Sequence, residues 1–122
     1  VSLTARHLEA NGIPTVVIGS ARDIVEQCGV PRFLFSDFPL GNPCGAPYDV
    51  EMQRAILEIA LGLLESTRFP RTSVQTPFSW PVQDWRRNYM LVDEHNVEEL
   101  RRMGEERRDR QTRRKAEGLV RS

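Results

Sequence analysis

Apolar residues recur at helical spacing most regularly between Met52 and Leu64. Met52, Ala55, Ile56, Ile59, Ala60, Leu63 and Leu64 fall at i, i+3, i+4 and i+7, with Glu51, Arg54, Glu58 and Glu65 on the other side. The spacing predicts an amphipathic helix over residues 50–65, capped by Asp49. Upstream, residues 2–10 read as a short helix with Leu3, Ala5 and Leu8 as its apolar positions, ended by the turn pair Asn11-Gly12. Residues 14–19, Pro-Thr-Val-Val-Ile-Gly, are too continuously β-branched for a half-exposed strand and predict a buried parallel one. Ser20 is then placed to cap a helix over 21–28, with Ile24, Val25 and Cys28 on one face and Gly29 just past its end. Arg32-Phe-Leu-Phe35 gives the second strand. Helix, strand, helix, strand, loop, helix is half of a doubly wound α/β unit, so the expected class is a partial flavodoxin- or Rossmann-like parallel sheet.

The pattern changes at Arg68. Residues 68–81 hold Pro70, Pro77 and Pro81, several Ser and Thr, and the rings Phe69, Phe78 and Trp80, with Trp85 and Tyr89 following. Rings left in water cost about 1.5–3 kcal/mol each, so this segment reads as an irregular aromatic arm lying on its own sheet or on a partner. From Asp93 the chain becomes a charged helix, with Glu98–Arg102, Arg101–Glu105, Glu106–Arg110 and Asp109–Arg113 as i, i+4 pairs. Val97, Leu100 and Met103 form its apolar strip; past Gly104 no large apolar residue follows until Leu119, so 105–122 reads as solvated or fraying helix. The expected organisation is an α/β domain over 1–67, an arm over 68–92 and a charged tail over 93–122.

Charge narrows the function classes. The chain has 17 basic and 17 acidic residues, net zero, which gives no general pull toward nucleic acid or an anionic membrane. Two cysteines, Cys28 and Cys44, are too few for a disulfide scaffold or a zinc ligand set. With no apolar run of spanning length and no signal-peptide pattern, the reading is a reduced, cytoplasmic protein, although the sequence starts at Val1 and not at Met.

Candidate chemistry gathers in the loop 39–47, Pro-Leu-Gly-Asn-Pro-Cys-Gly-Ala-Pro, where Gly or Pro stands at every second position. Such a loop shapes backbone, and it leaves the carboxyl end of a strand, where ligands bind in open α/β sheets. Cys44 is the candidate nucleophile; its thiolate gains if it points at the helix opening near Asp49, and the bland alternative is a small residue filling a tight turn. Cys28 reads as core. Gly19-Ser20, at a strand-to-helix turn, is a candidate anion-binding pair, without a Gly-rich fingerprint to strengthen it. Asp37, just before this loop, is a candidate acid, base or metal ligand, but no second carboxylate or His stands near it at metal spacing; His95 has less in its favour. The rings, interleaved with Arg68, Arg71, Arg86 and Arg87, superficially match a single-strand nucleic-acid platform. With zero net charge, a protein partner bound through Phe78, Trp80, Trp85 and Tyr89 is the preferred reading.

The order of these elements, with Leu8-Glu9-Ala-Asn-Gly-Ile-Pro-Thr-Val16, the Pro31-Arg32 strand entry and Pro39-Leu-Gly-Asn-Pro43, resembles the C-terminal part of the selenoprotein B component of the glycine, sarcosine, betaine and D-proline reductases and its short selenoprotein-like relatives. The resemblance covers about residues 2–66, and the Pro-Leu-Gly-Asn-Pro loop gives most of its weight. In that family a Sec/Cys-x-x-Cys motif precedes the helix that matches residues 2–10; no such motif is present here. The resemblance implies thiol-dependent reductive or lyase-type chemistry, in which the nucleophile attacks the carbon next to a carboxylate and displaces an amine. For this chain it implies the small subunit of a hetero-oligomeric oxidoreductase-like enzyme, completing the active site of a larger α/β partner subunit that acts on a small carboxylated substrate. Gly41, Asn42 and Cys44 would then face the reacting group, Gly19 and Ser20 would bind substrate, and His7 would orient or protonate it; a solvent-facing helical histidine is the alternative. The second function class is a non-catalytic assembly or interaction protein that retains the fold.

Overall fold

The computed structural model describes residues 1–89 and 91–116, in two units, 1–89 and 90–122. In the first unit, α1 (Ser2–Ala10), β1 (Val17–Gly19), α2 (Arg22–Gln27), β2 (Arg32–Phe35), α3 (Val50–Ser66), β3 (Thr72–Gln75) and the single turn α4 (Trp85–Asn88) follow in order. The three strands form one parallel sheet in the order β1-β2-β3, with Val17 beside Phe33 and Leu34 beside Val74. The expected mixed α/β class with a parallel sheet is therefore what the chain adopts.

Alternation along β2 builds a core on each face of the sheet. Phe33 points to one side, where it packs with Ala5 of α1, Val17, Val25 of α2 and Val30; Leu34 points to the other, with Phe38 and with Ile56 and Ala60 of α3. Phe33, Leu34 and Ile56 are fully buried, each contributing about 1.5–3 kcal/mol of transfer free energy. The strands are laid down in one direction, yet α2 and α3 cover opposite faces. The two β-α-β crossovers thus have opposite hands, and one departs from the right-handed rule.

The helix of 50–66 forms as its spacing predicts, and the Asp49 carboxylate caps it by accepting from Met52 N at 3.0 Å. Its burial follows the stripe: Ile56 and Ala60 are buried and Met52, Ala55, Ile59, Leu63 and Leu64 half-buried, while Leu57 and Leu61, outside the stripe, are exposed. Three local expectations are corrected. Ser20 does not cap α2; Ala21 occupies the cap position without a side-chain bond, and the Ser20 hydroxyl is buried without a partner. Leu3 and Ile24 face solvent, because α1 and α2 meet the sheet through Ala5 and Val25 alone, and Cys28 is only half-buried. Most consequentially, residues 72–75 are not irregular. Thr72–Gln75 pairs with Arg32–Phe35 as the third strand, so the segment expected to be a separate arm extends the sheet.

At the amino ends of the strands, Glu9 accepts from Arg32 Nη1 at 2.8 and 2.9 Å and from Thr15 N at 2.8 Å, tying α1 to β1 and β2. The hydrogen bond from Arg32 holds the Glu9 carboxyl below its usual range, against a burial effect of opposite sign. A depressed folded-state value stabilises above the unfolded one, so this contribution is complete above about pH 4.3 and disappears as pH falls through the lowered value. Glu9→Gln is expected to lower the urea midpoint at pH 7 and to leave the pair of proteins with converging midpoints in acid; equal spacing at every pH would contradict the assignment.

In the second unit, α5 (Val97–Ala116) buries no residue and carries the expected Arg101–Glu105 pair at 3.5 Å. Its entry is a turn in which Asp93 accepts from the backbone N of His95 and Asn96, the only described hydrogen bond of His95. Leu119, with the rest of 117–122, lies outside the described residues.

Candidate functional site

A parallel sheet brings the carboxyl ends of its strands to one rim, here Gly19-Ser20, Ser36-Asp37 and Gln75-Thr76. The rim is knit by hydrogen bonds: fully buried Ser36 donates its N–H to Gly19 O at 2.9 Å, and Thr76 N donates to Phe35 O at 2.8 Å. Beyond Thr76 the chain folds back across β2. Phe78 and Trp80 join the α3-side core, the Trp80 ring 5.3 Å from that of Phe38. The turn α4 then presents Arg86, whose guanidinium lies 4.8 Å over the Trp85 ring and pairs with the Asp37 carboxylate. The Trp85 and Tyr89 rings meet nearly at right angles, their centroids 5.9 Å apart.

Asp37, Gln75, Ser79, Trp80, Trp85 and Arg86 line an open cleft of about 220 Å³. It offers adjacent opposite charges, carboxamide and hydroxyl groups, and aromatic walls. A guanidinium over an indole gains a cation–π contact, and its fork of donors matches a carboxylate with two parallel hydrogen bonds.

The sequence-derived candidates are distributed around this site. Gly19 and Ser20 stand at the same rim. The loop 39–47 leaves from it and closes on the start of α3, where Gln53 Nε2 donates to Ala46 O at 2.8 Å. Gly45, at φ +111°, holds a backbone conformation that strains any residue with a side chain, and a Cβ there would also crowd Met52 at 3.3 Å. Gly41, also at positive φ, is exposed, Asn42 is half-buried and Cys44 is exposed. Tyr48 adopts φ 66° with its side chain 98% exposed, a strained backbone that no packing of its own ring offsets.

His7 lies elsewhere. It is exposed in the last turn of α1, two residues before Glu9 and thus toward the amino ends of the strands, so the fold does not bring it to the Cys44 loop. Of the four proposed partner-binding rings, Phe78 and Trp80 are half-buried in this chain's own core, Trp85 is half-buried and Tyr89 is exposed. The Asp37–Arg86 pair was not visible in sequence, being separated by 49 positions. Only the placement of Asp37 just before the Gly/Pro loop hinted at it. Among the described residues no three His, Cys, Asp or Glu side chains cluster as metal ligands, and no helix is long and apolar enough to cross a membrane.

Compared with known proteins, the chain is 32% identical over 78 residues to D-proline reductase subunit gamma of Acetoanaerobium sticklandii, a match covering 64% of this chain and 32% of that protein. The chain is similar to a reductase subunit. It spans about a third of that relative's length. No protein-family model matches the chain, and no solved structure does. The expected relation to the reductases is thus supported at that level, through similarity to a gamma subunit.

Proposed function

We propose that this chain is a small subunit of a hetero-oligomeric oxidoreductase-like enzyme, and that its rim cleft holds one end of a small carboxylated substrate. The similarity to a D-proline reductase subunit carries this reading; the cleft at the carboxyl ends of the strands supports it. In the mechanism we envisage, the substrate carboxylate displaces Asp37 from Arg86, and the freed Asp37 pairs with the substrate's protonated amine. A thiolate or selenolate then attacks the carbon next to the carboxylate, forming a carbon–sulfur or carbon–selenium bond as the carbon–nitrogen bond breaks and the amine leaves with the electron pair. A larger α/β partner supplies that nucleophile unless Cys44, on the exposed loop beside the rim, does so itself.

The test is purification of the native assembly, identification of its subunits by mass spectrometry, and turnover measured with Cys44→Ser in place of the natural chain. A larger partner and substrate turnover that requires this chain are expected. At least a tenfold loss in the variant assigns the nucleophile to Cys44, and unchanged turnover assigns it to the partner. A chain that purifies without any larger partner overturns the subunit reading. The exposed, strained Tyr48 favours a second reading, a non-catalytic interaction protein, which predicts a partner but no dependence of turnover on this chain.

A further inference from the structure

The amino ends of the strands, opposite the rim, hold polar groups that the fold leaves without partners. Arg32, at the start of β2, makes its described hydrogen bonds through Nη1 alone, to both Glu9 oxygens and to Thr15 O. Its Nε is buried without a partner, and so is the hydroxyl of Thr67, the residue that follows α3. Buried polar groups are nearly always satisfied, so two orphans on one wall call for a common partner. Both residues line a cavity of about 170 Å³, together with Arg68, Phe69 and Pro70. Arg68 is exposed and has no ion pair among the described residues.

We infer that this cavity binds a small oxyanion, a carboxylate or a phosphate. With Nη1 committed to Glu9, the edge of Arg32 formed by Nε and Nη2 remains as a fork of two donors, the arrangement that takes two oxygens of one anion. The Thr67 hydroxyl adds a third donor, and Arg68 adds charge. Two guanidinium groups against the single Glu9 carboxylate leave one positive charge over. A bridging water would satisfy Nε and the hydroxyl but would leave that charge to the solvent. The carbonyl ends of α1 and α3 reach the same side and favour cations, an effect that fades within the last turn and that holds the expected affinity to a modest value. Because Nε and the hydroxyl are closed to bulk water, an incoming anion meets Arg68 first and reaches them by a side-chain adjustment. The site lies at the opposite end of the sheet from the rim cleft and does not depend on the proposed reaction.

The test is a nuclear magnetic resonance titration of the intact, isotope-labelled chain with sodium phosphate and, separately, with sodium acetate, the ionic strength held constant with sodium chloride. The Arg32 Nε–H signal and the Thr67, Arg68 and Phe69 amides are expected to shift together and to saturate, with a dissociation constant on the order of millimolar. The anion that saturates them at lower concentration names the chemistry the site prefers. Thr67→Val is expected to weaken binding roughly fivefold and to leave the urea midpoint without anion unchanged or higher, since it removes a hydroxyl that the fold does not satisfy. Arg68→Gln is expected to weaken binding by roughly the same factor, because its charge is exposed and partly screened. Failure of both anions to give a saturable shift at Arg32 Nε–H would show that water alone fills the cavity and would overturn the proposal. Wild-type affinity in both variants, or a lowered midpoint in Thr67→Val, would overturn it as well. If a variant fails to fold, the wild-type titration decides alone. Shifts at Arg86 follow their own isotherm and report on the rim cleft, so the failure of one site is distinguishable from the failure of the other.

Discussion

Arg86→Gln is expected, on the function proposed above, to lower the assembly's kcat/KM for a carboxylated substrate by roughly ten- to a hundredfold, mainly through KM. The size follows from the loss of charge-assisted hydrogen bonds to a carboxylate, worth about 1.5–3 kcal/mol. Glutamine keeps a donor but neither the charge nor the planar fork, and it also loses the stacking on Trp85 seen at 4.8 Å. The isolated chain should lose little stability, because the Asp37–Arg86 pair is well exposed, with side chains at 43% and 61% of full accessibility, and exposed ion pairs contribute at most about 1 kcal/mol. A steady-state comparison on the assembly, with a urea titration of the free chain, separates the two effects. An unchanged KM would remove Arg86 from the site.

Trp80→Ala is expected to destabilise the first unit by about 3 kcal/mol, the usual scale for deleting a large aromatic side chain from a packed cluster. Trp80 packs on Phe38 within the α3-side core, and Phe38 is 2% exposed beneath it. The loss should appear as a lower midpoint in chemical denaturation before any partner is added. Tyr89→Ala, which removes a ring that is 39% exposed, should shift that midpoint by less than about 1 kcal/mol. The two rings therefore differ in what they do. If Trp80→Ala left stability intact and released only a partner, the ring would belong to an interface and not to this fold.

What could be read from the sequence divides along physical lines. Where one side chain or one periodicity decides the outcome locally, the reading holds: the helical stripe from Met52 to Leu64, the Asp49 cap, the Asn11-Gly12 stop, and Gly29 at φ 66° after α2. Where tertiary pairing decides, it does not. Thr72–Gln75 contains one large apolar residue and lies between Pro70 and Pro77, so nothing local marks it as a strand; the exposed edge of β2 recruits it. The cleft was the least legible part, because Asp37 and Arg86 acquire a joint meaning only when the chain after β3 doubles back over the rim.

The opposite hands of the two crossovers bear on how the chain reaches this arrangement. The pairing of Arg32 with Thr72 joins residues forty positions apart, and the segment between them must carry α3 across the face that α2 leaves open. That contact cannot nucleate from a local turn. Its loop-closure entropy is spent before β3 adds any hydrogen bond to the sheet. α1, β1, α2 and β2, whose contacts are mostly closer in sequence, have an earlier kinetic opportunity to assemble, and the rim cleft is completed last because most of its lining follows β3. A chain stalled before that step would hold the α1 and α2 layer and still lack the Asp37–Arg86 pair.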